Sequence, residues 1–202
     1  MALNIDQIIS LTTNISSAGI GAANFGSAMF FCPESEKPGG EVVDTYKTYN
    51  LASAKTAFAS TSETYDALVN YWFSAAPSMS EVKVWFVDST DADWTTTLDK
   101  ARNKSWWFWS FFNKSVYADT VLVTEIADWS NSNETYFMNC QTGTNVTDIR
   151  DPVETSDIAS ALTTAGYRYA STFAHATDPY AGISLCKWYA AVNYSAVKST
   201  IT

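Results

Sequence analysis

The residues best equipped for chemistry in this chain are few and scattered. His175 is the single histidine, and it follows a strand-like run, residues 167–174, where βα loops often carry active-site groups. No nucleophile can be identified for it, so it reads as a structural loop histidine rather than a general base. Asp88, Asp91 and Asp93 follow another strand-like run, at a sheet end where carboxylates could collect a divalent cation. Their spacing lacks the glycine and the closing glutamate of a calcium loop, and the simpler role is a solvated loop that supplies the N-cap of the next helix. The stretch Gly19-Ile-Gly21-Ala-Ala-Asn24-Phe-Gly26 suggests a dinucleotide loop only superficially. Asn24 stands where the third glycine belongs, and a strand signal follows where a helix should receive the pyrophosphate. Cys32, Cys140 and Cys186 are odd in number and far apart, which marks them as buried thiols, and Cys140 and Cys186 read as core residues rather than nucleophiles. The sequence thus nominates no catalytic residue, no cofactor and no metal site.

Composition narrows the classes further. A chain of 202 residues that is 47% hydrophobic can bury one sizeable core. Lys and Arg number 12 against 21 Asp and Glu, for a net charge of −9, and the cations never form a run. A phosphate-tracking surface needs clustered cations, so nucleic acid is not an expected partner. Nor is a membrane, because no segment approaches the roughly 18 unbroken apolar residues of a span. Residues 1–17 have no basic n-region and do not read as a signal peptide. An intracellular chain keeps its cysteines reduced, and the sequons Asn113-Lys-Ser and Asn145-Val-Thr then count as coincidences. Trp106, Trp107, Phe108, Trp109, Phe111 and Phe112 crowd one stretch, which implies a buried strand plus one sheet edge or, alternatively, an exposed subunit contact.

Periodicity organises these residues. Residues 5–15 are rich in Ile and Thr and read as a strand or extended arm, and residues 28–32 form a second strand ending at Pro33. A loop follows to Gly40, then a short strand or turn-flanked segment over 42–46 and an Ala-rich helix over 51–59. Ser60-x-x-Glu63 has capping-box spacing, and Tyr65, Leu68, Val69, Trp72 and Phe73 form one helical stripe that Pro77 stops. Four βα units succeed it. Strands are expected at 82–87, 106–112, 135–141 and 167–174. The helices between them carry Trp94, Leu98 and Ala101; Ala118, Leu122 and Trp129; and Ile158, Ala161, Leu162 and Ala165, the last ended by Gly166. A final helix opens at Asp178-Pro179 and turns Leu185, Trp188, Tyr189 and Val192 inward. Trp72, Trp85, Phe108, Leu162 and Trp188 are the expected core. The fold class is α/β, a mainly parallel sheet flanked by helices with extended β-prone terminal arms. Residues 1–26 are the N-terminal arm and connector, 27–192 a single core domain and 193–202 the C-terminal arm.

Several motifs in this order match a known pattern. The N-terminal Ile/Thr strand, Asn24-Phe-Gly26 leading into Ser27-Ala-Met-Phe-Phe31, the region 46–58 and the helix 65–73 resemble the sheath-like tail proteins of contractile-tailed bacteriophages. Ala165-Gly-Tyr167-Arg168, Thr177-Asp-Pro-Tyr-Ala181 and the exit Val192-Asn-Tyr-Ser through Ser199-Thr-Ile-Thr202 resemble that family's closing helix and following strand. Family members commonly insert a β-rich domain near the first core strand and continue beyond the Ser-Thr-Ile-Thr element, so the chain looks like a pared-down member or the N-terminal part of a longer one.

The resemblance implies no catalytic residue and no cofactor. It implies a subunit that stacks in hexameric rings around a tail tube protein, with terminal strands joining the sheets of neighbouring copies. Baseplate and tail terminator proteins are the further partners, and the virion tail, assembled in the host cytoplasm, is the location. The β-prone arms supply the expected subunit-interface residues: Ile5, Ile9, Leu11 and Thr13 at one end, Val197, Thr200 and Ile201 at the other. An added strand gains main-chain hydrogen bonds at a sheet edge. Two other classes compete: a baseplate or host-surface binding module that presents its aromatics to a partner, and a small α/β enzyme using His175 or the Asp88 to Asp93 loop.

Overall fold

The computed structural model describes residues 25–192 apart from 75, 78, 144–147, 150, 152 and 154. All seven expected interface residues lie outside the described residues.

A six-stranded sheet in the order β2-β3-β1-β4-β5-β6 organises the chain. Its strands are β1 (Ala28–Cys32), β2 (Tyr46–Tyr49), β3 (Val82–Phe86), β4 (Trp109–Phe111), β5 (Tyr136–Gln141) and β6 (Ala170–Ala174). Every pairing is parallel except that of the edge strand β2 with β3. The α/β class and the mainly parallel sheet are therefore as expected. β1 lies in the middle with all of its residues buried, as an Ala-Met-Phe-Phe-Cys run with no polar alternation must when both faces are covered.

The helices are α1 (Leu51–Ala57), α2 (Glu63–Tyr65), α3 (Trp94–Lys104), α4 (Lys114–Ala118), α5 (Thr120–Asn133), α6 (Ile158–Ala165) and α7 (Ala181–Ala190), and a π-helix (Asp66–Trp72) continues α2. Alternation along β5 separates the two faces of the sheet. Cys140 and Met138 point to Gly182 of α7, whereas Phe137 stacks on Tyr117 of α4 and Gln141 Nε2 donates to the Tyr117 carbonyl at 2.6 Å.

Several local expectations need correction. The capping box forms at Asn50 and Ser53, which exchange side-chain and backbone bonds at 2.9 Å. The expected box at Ser60 and Glu63 does not form: Ser62 caps α2 through Tyr65 N at 3.1 Å, and Glu63 turns its carboxylate elsewhere. The stripe holds for Leu68, Val69, Trp72 and Phe73, while Tyr65 is half-buried and Ala67 joins the core. The π-helical turn, with Phe73 N donating to Leu68 O at 2.8 Å, widens the buried face. The expected 42–46 segment is a turn, with Asp44 at φ 58°, and the strand begins only at Tyr46.

The long aromatic strand is also shorter than expected. Phe108 N and Trp109 N both donate to Ser27 O, so pairing starts there and covers only Trp109–Phe111. Trp107 is buried before the strand, stacked on Trp129 with ring centroids 5.9 Å apart, while Trp106 is exposed and Phe108 only half-buried. In α6, Ile158 and Leu162 are buried but Ala161 and Ala165 are exposed.

The largest departure is α7. It begins at Ala181 rather than at Pro179, and it buries Gly182, Ile183, Cys186, Lys187 and Ala190. Trp188 is 54% exposed and Tyr189 39% exposed, so the expected inward face is wrong. Gly182, Cys186 and Ala190 recur every fourth residue and form a line of small side chains. That line lets the helix axis approach β5 closely, and the bulky residues are left at the rim.

Candidate functional site

The strand order reverses at β1, since the chain runs by way of β2 to β3 on one side of it and then crosses to β4 on the other, and in open α/β sheets the crevice beside such a point commonly receives ligands. Here the chain's own carboxylates take the donors at that end. Glu36 Oε1 accepts from Glu63 N at 2.8 Å, and its Oε2 accepts from Thr64 N at 2.8 Å and Thr64 Oγ1 at 2.6 Å. Glu63 Oε1 pairs with Lys114 Nζ at 3.0 Å, and Oε2 accepts from Lys114 N and Tyr180 OH at 3.2 and 3.1 Å. Burial and the Glu63 charge push the Tyr180 phenol well above its usual pKa. The Lys114 ammonium is likewise held protonated by Glu63.

The sequence candidates have local partners. His175 Nδ1 accepts from Asp178 N at 3.0 Å, closing the turn before α7, and the His175 N–H donates to Gln141 O at 3.0 Å. Asp93 caps α3 by accepting from Thr96 N at 2.7 Å, as expected, and these bonds hold its carboxyl below the ordinary range. Asp88 accepts from Thr90 N and Thr90 Oγ1. Asp88 and Asp91 do converge, joined by Asp44, at ligand-like separations. Lys100 Nζ, however, bonds both Asp91 and Asp44 Oδ2, the latter at 2.7 Å, so an ammonium already sits between two of the three carboxylates. All three cysteines are free and buried, as expected. Burial raises Cys32 and Cys140 to about 12 and Cys186 well above its usual value.

A groove with room for a partner lies at the other end of the strands. An apolar groove of about 460 Å³ opens there between the sheet and α7. Phe108, Trp109, Tyr136 and Met138 form its floor, and Leu185 and Tyr189 form the helical wall. Trp109 packs edge-on to Tyr136 with centroids 5.0 Å apart and reaches Tyr189 at 6.4 Å. Polar atoms of the floor are paired: Tyr136 OH donates to Ser171 Oγ at 2.8 Å, and Trp109 Nε1 donates to Phe25 O at 2.6 Å. Exposed Trp188 extends the aromatic surface along α7. Sequence reasoning missed this groove because it assigned Trp188 and Tyr189 to the core. The available signal was the crowding of aromatics at 106–112, for which an exposed subunit contact was the alternative reading.

Sheet and helices together define a three-layer α/β protein whose described residues show an apolar groove and a self-occupied strand-end crevice. Neither a protein-family model nor a curated protein matches the chain.

Proposed function

We propose that this chain is a structural subunit of a contractile phage tail sheath, polymerising as stacked rings around a tail tube through exchange of its terminal segments. One observation carries most of the weight. Phe25 and Tyr189, which lie close in sequence to the first and last described residues, both line the apolar groove beside exposed Trp188. A concave apolar groove of that kind can receive an apolar partner segment, which is what strand exchange between neighbouring copies requires. The order of sheath-like motifs along the chain supports the same reading. Copies of itself, a tail tube protein, and baseplate and terminator proteins are then its partners, and the virion tail its location.

A host-surface binding module is the second reading, favoured by exposed Trp188 and Tyr189. Particle size separates the two. Negative-stain imaging and sedimentation of the purified protein should show rings or tubes for a sheath subunit and a small closed oligomer for a binding module. Deleting residues 2–15 should leave a folded monomer that no longer polymerises. A truncated protein that still forms tubes would remove strand exchange by this arm.

A further inference from the structure

The apolar groove lies where the described chain begins. Phe25 lines it, sets its ring edge-on to Phe108 at 4.8 Å, and accepts the Trp109 indole N–H on its carbonyl. The 24 residues before Phe25 therefore start at the groove's own rim. Their composition suits it. Leu3, Ile5, Ile8, Ile9, Leu11 and Ile15 are aliphatic, and Asp6 is the single charged side chain among them. Residues 193–202 are mostly polar and carry Lys198, a poorer match to a floor of aromatic rings and Met138. Reach is not limiting, because residues 16–24 span up to roughly 30 Å when extended. A tethered segment also competes at an effective concentration in the millimolar range, ahead of any free partner.

We propose that the groove seats residues 3–15 of the same chain in the unassembled subunit. The inference rests on the sheath reading for its consequence. A segment that pairs with a neighbour in the polymer has a first seat at home, and leaving that seat becomes a step in assembly. Aliphatic side chains covering the groove also keep its aromatics from associating before a growing end is met.

Cross-linking of the full chain tests this. Ile9→Cys is combined with Ser171→Cys, a near-isosteric change on the groove wall, and the protein is treated with a short cleavable bismaleimide at neutral pH, where the native thiols are buried. The expected product is an internally linked monomer, identified by mass spectrometry, whose yield does not change over a tenfold range of protein concentration. An equimolar mixture of the two single variants should give no covalent dimer. A second pair, Ile5→Cys with Tyr189→Cys, guards against misfolding at position 171. Dimers from the mixture would assign the groove to another copy's arm, and no cross-link from either folded pair would assign it to a different occupant. Both results overturn the proposal. Polymerisation is read separately by imaging, so an internal cross-link in a protein that never forms tubes removes the sheath reading while leaving the seat in place.

Discussion

Gly182→Ala should destabilise the subunit, although alanine is the better helix former. Gly182 sits in the first turn of α7, where a Cβ would lie 2.5 Å from Cys140 Sγ, 3.0 Å from Met138 Cγ and 3.3 Å from Phe173 Cβ. Real Cβ atoms do not approach sulfur that closely, so either α7 lifts or β5 yields, and overpacking of this kind costs about 1–3 kcal/mol. Replacing glycine in a helix interior returns up to about 1 kcal/mol, and less in the first turn. The expected net loss is about 1–2 kcal/mol, or a Tm lowered by about 2–8 °C for a chain of this size. Urea denaturation followed by tryptophan fluorescence measures it. Cys140→Ala removes the nearest obstacle and leaves the flexible Met138 as the next contact. The double variant should therefore be less destabilised than the sum of the singles by about 1 kcal/mol. A Gly182→Ala protein as stable as the parent, or additive behaviour in the cycle, would refute the close-approach account of why α7 turns its small residues inward.

Trp72→Ala should cost about 3–5 kcal/mol, because the side chain is fully buried and its indole donates to Glu81 O at 2.9 Å. Trp188→Ala should change subunit stability by only about 0.5 kcal/mol or less, and an equal loss in both variants on urea denaturation would put Trp188 back in the core. The thiols should be inert to an aromatic disulfide reagent in the folded protein at pH 8 and all 3 should react once it is unfolded; fast reaction of any one in the native state would contradict its burial. Stability should also fall at alkaline pH. Cys32 and Cys140 hold their protons to about 12 when folded but release them near 9.0 when unfolded, so their contribution is complete below about pH 9 and is lost as pH rises towards 12, with a slope of up to about 1.4 kcal/mol per pH unit for each group. A urea midpoint that rises between pH 9 and 11 would reverse that sign.

The sequence by itself determined the element types and the class. Strand and helix alternate because apolar periods of about two and 3.6 residues impose themselves locally, and caps such as Asp93, which opens α3, and the left-handed Gly166, which closes α6, act by backbone chemistry that needs no distant partner. Burial of the cysteines was legible too, since three cysteines far apart in sequence offer no metal-ligand spacing and fall within or beside apolar runs. Strand order was not legible. That residues 28–32 lie at the centre of the sheet, between β3 and β4, depends on pairings across more than fifty positions, which no local period encodes. Nor was the inward face of α7. Leu185, Trp188 and Tyr189 form a sound amphipathic stripe, yet the line Gly182, Cys186 and Ala190 won because a close helix–sheet approach rewards small residues, and only the position of Cys140 reveals that approach. The groove follows from that rotation: with the small residues against the sheet, the large aromatics of α7 were left at the surface.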